Sequence, residues 1–185
     1  AYEFNLEENI PYSIIIRGMD LAGNTGESEF VVNVLYDITP PEISFQSPEA
    51  NDVVNHVQVS YSINEDLSSA NMFWQDISEK DPEPVHESEL KETERLQGQY
   101  IDLEITRSPK LFDGAEYMLR LEGTDLAGNT ANAEAVPSFK YDITPPEFSH
   151  ITPPSGSLIN EANIAFTNSE DIDSGKITFT RVLGA

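Results

Sequence analysis

Cysteine is absent from this 185-residue chain, so disulfides and thiol chemistry contribute nothing to its fold or function. Basic residues are scarce. Lys and Arg number 10 against 33 Asp and Glu, for a formal net charge of −23 at neutral pH. A surface of that sign repels nucleic-acid phosphates and anionic headgroups, and neither is expected as a partner. No run of 18 apolar residues occurs, so no segment reads as a membrane-spanning helix and direct membrane insertion is not expected. Histidine is limited to His56, His86 and His150, and tryptophan to Trp74. The histidines share no element, which indicates neither a zinc site nor a Ser–His base pair. Paired carboxylates are frequent because acids are frequent, and the chain offers no cleft of the kind glycoside hydrolysis needs. The sequence reads as non-enzymatic, with no catalytic residue and no organic cofactor. At Ala1 there is neither a methionine nor a signal-type apolar stretch, as in a processed or excised piece.

What is present is an internal repeat. Asp-Leu-Ala-Gly-Asn-Thr occupies residues 20–25 and again 125–130, and Tyr-Asp-Ile-Thr-Pro-Pro-Glu occupies 36–42 and again 141–147. Both pairs of strings are separated by 105 residues, without slippage. One period is the size of a single domain. The expected division is therefore 1–39 as the C-terminal part of one module (its last two strands), 40–144 as a complete module, and 145–185 as the N-terminal part of a third (its first three strands).

Short β-branched or alternating segments bounded by turn residues carry the secondary structure. Residues 12–18 and 29–36 read as a hairpin around the Gly23-Asn24 turn. Within 40–144, strands are expected at 42–46, 57–63, 71–77, 100–106, 117–123 and 132–141. The highly charged residues 78–99 read as loop with helical tendency, with 87–96 either a short exposed helix or a ragged edge strand. In the third module, residues 148–151, 163–167 and 176–182 read as strands. Many short strands at near-regular spacing, with no heptads, indicate an all-β sandwich. Leu111-x-Asp113-Gly114-x-x-Tyr117 looks like a tyrosine corner, and Leu6 to Tyr12 offers the same frame. Trp74 on the third strand is expected in the core; an exposed row with Phe73 or Tyr100 would instead make a sugar-stacking platform.

The Tyr117 to Asn129 pattern, followed by a strand and Asp-Ile-Thr-Pro-Pro, resembles the tandem bacterial immunoglobulin-like and fibronectin type III-like repeats of large secreted or cell-surface proteins. The resemblance covers essentially the whole chain. It implies tandem immunoglobulin-like (fibronectin type III-like) β-sandwich modules, an extracellular or cell-surface location, and neighbouring modules of the same chain as partners. Members act as stalks of adhesins, parts of extracellular filaments, or spacers in secreted hydrolases. The expected function is a structural spacer or stalk. The alternatives are an accessory carbohydrate-binding module of a secreted hydrolase, and a filament subunit in which identical subunits assemble head to tail by strand complementation.

In that topology the linker after the last strand arrives beside two loops of the following module. Asp37 is then gathered with Glu65, Asp66, Asp125 and Asn129, with Glu42 nearby. Asp142, Glu170 and Asp171, with Asp173, form the corresponding set at the next junction. Oxygen-only ligands from several loops suit Ca²⁺, and calcium at the junctions is one reading. The other is local: Asp20 and Asp125 cap their own turns, while Asp37 and Asp142 merely begin an extended linker.

Overall fold

Alternating side chains in the middle of the chain build two sheets that share one core. The structure, a computed structural model, describes residues 4–182. It divides into two compact units, the first ending at Asp142 and the second beginning at Ile143. That division falls two residues before the boundary expected from the sequence, and residues 4–39 fall in the same unit as the central module.

The chain opens with a bent antiparallel hairpin. Strand β1 (Pro11–Ile14) pairs with β4 (Val31–Leu35), and β2 (Arg17–Met19) pairs with β3 (Thr25–Glu27). The central module follows with β5 (Ile43–Ser47), β6 (Val53–Val54), β7 (Val59–Ile63), β8 (Leu67–Asp76), β9 (Val85–Glu89), β10 (Gly98–Leu103), β11 (Glu116–Asp125) and β12 (Thr130–Tyr141). One sheet has the order β10-β7-β5 and the other β6-β12-β11-β8-β9. Every pairing is antiparallel except that of β6 with β12.

The core follows from the two-residue period of a strand, which sends alternate side chains to one face. From one sheet come Val59, Tyr61 and Ile63; from the other come Met72, Trp74, Tyr117, Leu119 and Leu121. Trp74 is fully buried, as expected of the third strand. Tyr100 stacks on Tyr61 at 4.7 Å and Phe73 lies 4.2 Å beneath the Arg120 guanidinium. The aromatics expected in a stacking platform are thus engaged within the module.

Residues 78–99 differ from the expectation of a loop with helical tendency. They contain the edge strand β9 and a single 3-10 turn at Glu92–Glu94. The inward side chains of β9 are His86 and Ser88, so its alternation is polar on polar and escapes a hydropathy reading. Both find partners: Ser88 donates to the Arg107 carbonyl at 2.6 Å, and His86 Nε2 lies 2.7 Å from Asp81. Glu94 is buried and accepts from the Thr106 hydroxyl at 2.6 Å and the Thr106 and Lys91 N–H groups at 2.8 Å. Burial pushes its carboxyl up, and these bonds outweigh that and hold it below the ordinary range.

The second unit has β13 (Phe148–Thr152) paired with β14 (Ala165–Asn168). The strand expected at 176–182 does not form. An extended segment counts as a strand only when a neighbour takes its N–H and C=O groups, and among the described residues no strand pairs with it.

Local geometry recurs at the 105-residue spacing. The Tyr117 hydroxyl accepts the Phe112 N–H at 2.8 Å, and the Tyr12 hydroxyl accepts the Glu7 N–H at 2.6 Å. Ser47–Pro48 and Thr152–Pro153 are both cis. Asn64 N–H donates to the Glu42 carbonyl at 3.1 Å, and Ser169 N–H to the Glu147 carbonyl at 2.9 Å.

Trp74 fills the centre of the core, so Trp74→Ala leaves a cavity that packed neighbours cannot close. The expected cost is about 3–5 kcal/mol in urea unfolding monitored by circular dichroism.

Candidate functional site

The repeated Asp-Leu-Ala-Gly-Asn string builds its turn from one carboxylate. Asp125 Oδ1 accepts the N–H groups of Ala127, Gly128 and Asn129 at 2.8, 2.7 and 2.9 Å. Its Oδ2 accepts the Asn129 side-chain amide at 2.8 Å. Asp20 does the same with the Ala22 and Asn24 N–H groups and the Asn24 amide. The local reading of these aspartates therefore holds in both copies. Asp125 is buried, which pushes its carboxyl up, and the bonds from Asn129, Gly128 and Ala127 outweigh that and hold it low.

The Asp125 turn does more than close a hairpin, because the linker from the preceding segment lies against it. Asp37, Glu65 and Asp125 each bring one carboxylate oxygen within 4.8 Å of the other two. Burial and the neighbouring charges of Asp125 and Asp37 raise the Glu65 carboxyl above its usual range. These three carboxylates, drawn from a linker and two loops, are the group among the described residues whose spacing could hold a metal ion. Oxygens about 2.3–2.6 Å from one cation sit within that mutual distance, so the donor set fits a hard divalent ion.

The remaining expected ligands are placed differently. Asp66 is exposed and accepts the Gln97 N–H at 2.7 Å, a bond that commits it to the loop after β9. Asn129 enters as a donor: its amide N–H groups go to Asp125 Oδ2 and, at 3.3 Å, to the Asp37 carbonyl. It clamps the linker rather than offering an oxygen. Asp142 accepts from Lys140 Nζ at 2.7 Å. Glu170 is half-buried and Asp171 exposed, both in the second unit.

The linker itself is held along its length. Glu8 Oε1 accepts the Ile38 N–H at 3.1 Å and the Thr39 hydroxyl at 2.5 Å, and Asn9 N–H donates to the Tyr36 carbonyl at 3.0 Å. On the other side Asn64 Oδ1 accepts the Glu42 N–H at 2.8 Å. Pro41 between them is buried. The bonds from Thr39, then Ile38, hold the Glu8 carboxyl below its usual range.

A second polar cluster escapes sequence reading altogether. Asp81, His86 and Tyr117 are buried together, with the Tyr117 hydroxyl donating to Asp81 Oδ2 beside His86 Nε2. Burial, then the bond to Asp81, pushes the Tyr117 phenol up. Asp81 and His86 flank two prolines within a run of acids, and nothing in that pattern distinguishes a buried pair from a solvated one. The arrangement ties the loop before β9 to the tyrosine corner.

Because Glu65 is raised, its contribution to stability is present below about 4.5, its ordinary value, and is lost as pH rises through the folded value. At neutral pH it is a like-charge penalty. Glu65→Gln is expected to stabilise the fold in chelator at neutral pH by about 1 kcal/mol or less, read as a small rise in melting temperature. Thermal melts across pH should show the gain shrinking as the buffer approaches the acid end. No family model matches the chain and no curated protein matches it, so the geometry of the joint carries the functional reading.

Proposed function

We propose that this chain is a non-catalytic structural spacer of an extracellular or cell-surface protein, built from immunoglobulin-like (fibronectin type III-like) modules joined at stiffened junctions. The observation that carries this reading is the linker at residues 36–42, bonded to Glu8 and Asn9 on one side and to Asn64 and Asn129 on the other. A Gly/Ser tether with free backbone groups would let neighbouring modules swing. This linker has two consecutive prolines, which fix φ and keep the preceding residue extended, and its polar groups are taken up on both sides. The sheet orders β10-β7-β5 and β6-β12-β11-β8-β9, with the tyrosine corner at Tyr117, support the immunoglobulin-like assignment.

Calcium at the junction deepens this reading. Asp37 sits on the linker while Glu65 and Asp125 sit on loops of the module it enters. A cation shared by them would remove their mutual repulsion and add a bond across the joint. The surface charge of −23 would be screened in the same medium. The resemblance and this chemistry support a surface location.

Two measurements test the proposal. In small-angle scattering, Asn129→Ala combined with Glu8→Ala should broaden the distance distribution relative to the unaltered chain; an unchanged profile would refute the role of these bonds. Millimolar Ca²⁺ should raise the melting temperature of the unaltered chain and much less that of Glu65→Gln. An identical shift in both proteins would remove the ion from the junction while leaving the spacer reading intact.

A further inference from the structure

A sheet edge is a row of unpaired N–H and C=O groups, and folds ordinarily blunt it. The edges of the central module are β10 and β5 on one sheet and β6 and β9 on the other. Three of them are blunted. β10 shifts register between Tyr100 and Leu103, where Asp102 takes a φ of 48°. β5 shifts register between Phe45 and Ser47, and the Gln46 side chain donates to the Ser44 carbonyl of its own strand at 3.3 Å. β6 is two residues long. β9 has none of these devices: it is five residues without proline, in unbroken register with β8.

The ladder fixes which groups of β9 are open. Asp76 N–H donates to the Pro84 carbonyl at 2.8 Å, and Leu90 N–H to the Ala70 carbonyl at 2.9 Å. Bonded pairs recur at every second residue of an antiparallel ladder, so His86 and Ser88 between them also bond towards β8. The N–H and C=O groups of Val85, Glu87 and Glu89 point the other way, and among the described residues no hydrogen bond takes them up. The side chains of the same three residues are exposed. This openness belongs to the module itself, because the other four strands of the sheet are all in place.

Charge is what guards the edge. Glu87 and Glu89 stand along it and the exposed Glu83 just before it. A second β9 laid antiparallel alongside would set glutamates against glutamates, on a chain that already carries a charge of −23. A cation is accepted: the Arg107 guanidinium lies 2.9 Å from Glu89, and both side chains are more than half exposed. We infer that β9 is an acceptor edge for an extended segment of a partner protein, with Lys or Arg at alternate positions. Main-chain bonds to Val85, Glu87 and Glu89 supply the attachment, and cations opposite the two glutamates supply the selection. Small polar residues between the cations would lie beside His86 and Ser88. This inference goes beyond the spacer reading and does not rest on it.

Amide hydrogen exchange of the full chain, followed by NMR with a blocked six-residue peptide alternating lysine and threonine, tests it. Exchange at Val85, Glu87 and Glu89 should slow about tenfold once the peptide exceeds its Kd tenfold. The same peptide methylated on its lysine backbone nitrogens has equal charge but no N–H to give there, and should leave those amides unchanged. Val85→Pro removes an outward N–H without touching the bonds to β8 and should weaken the peptide roughly three- to tenfold. Glu87→Gln keeps the backbone and should weaken it while reducing its salt dependence. Trp74 stands opposite His86 in the ladder, so its near-ultraviolet signal checks that β9 stays paired in both variants. Equal effects of the two peptides overturn the inference, since the acidic surface alone would then account for binding. So does unchanged exchange at the three amides in millimolar peptide, or unchanged affinity in both variants. Protection of these amides in the chain alone overturns it too, as the sign that a second copy fills the edge.

Discussion

A buried carboxylate that must satisfy the N–H groups of its own turn governs the junction end of the central module. Asp125 spends one oxygen on three successive N–H groups and the other on Asn129. That leaves Asn129 oriented so that its second amide N–H reaches the Asp37 carbonyl of the arriving linker. The turn is therefore a platform, and the linker is seated on it. Were the turn looser, Asn129 would lose its orientation, and Glu65 and Asp37 would have no fixed third charge to face. Charge at the joint is a by-product of the turn chemistry as much as a device of its own.

How far the sequence foretells this structure depends on whether the signal is local. The spacing of 105 residues, the turn string and the alternation in β7, β8 and β11 lie in the chain itself, and the structure has strands and a buried Trp74 where they point. Strand β9 is missed because its inward residues are His86 and Ser88, satisfied by partners distant in sequence such as Arg107. Residues 176–182 are misread for the opposite reason: their pattern suits a strand, but strand formation needs a partner outside the pattern. At the site, the meeting of Asp37, Glu65 and Asp125 was legible once the ends of the sandwich were assigned. The structure brings Asn129 to the same joint as a donor to the Asp37 carbonyl, while Asp66 accepts the Gln97 N–H, a partner that only folding brings near.

The acidity of the chain is distributed rather than concentrated. Asp76, Asp81 and Glu94 are buried by the fold and kept ionised by dense hydrogen bonding, since in each case burial pushes the carboxyl up and bonded N–H or O–H groups outweigh it. These are structural acids that replace apolar contacts at the margins of a small core. Their contribution is present above the ordinary carboxylate range and is lost as pH falls through their lowered folded values. Glu65 stands apart, raised where they are lowered. That contrast separates Glu65 from the buried acids of the module, its neighbour Asp125 included.

The linker clamp also bears on how such a chain can change over generations. Glu8 and Asn9 belong to the segment that the linker leaves, while Asn64 and Asn129 belong to the module it enters. The outgoing half of this coupling therefore lies in one segment and the incoming half in another. A change on one side, such as the loss of Asn129, leaves a bonded group on the other side unanswered. The two segments are thereby constrained to vary together.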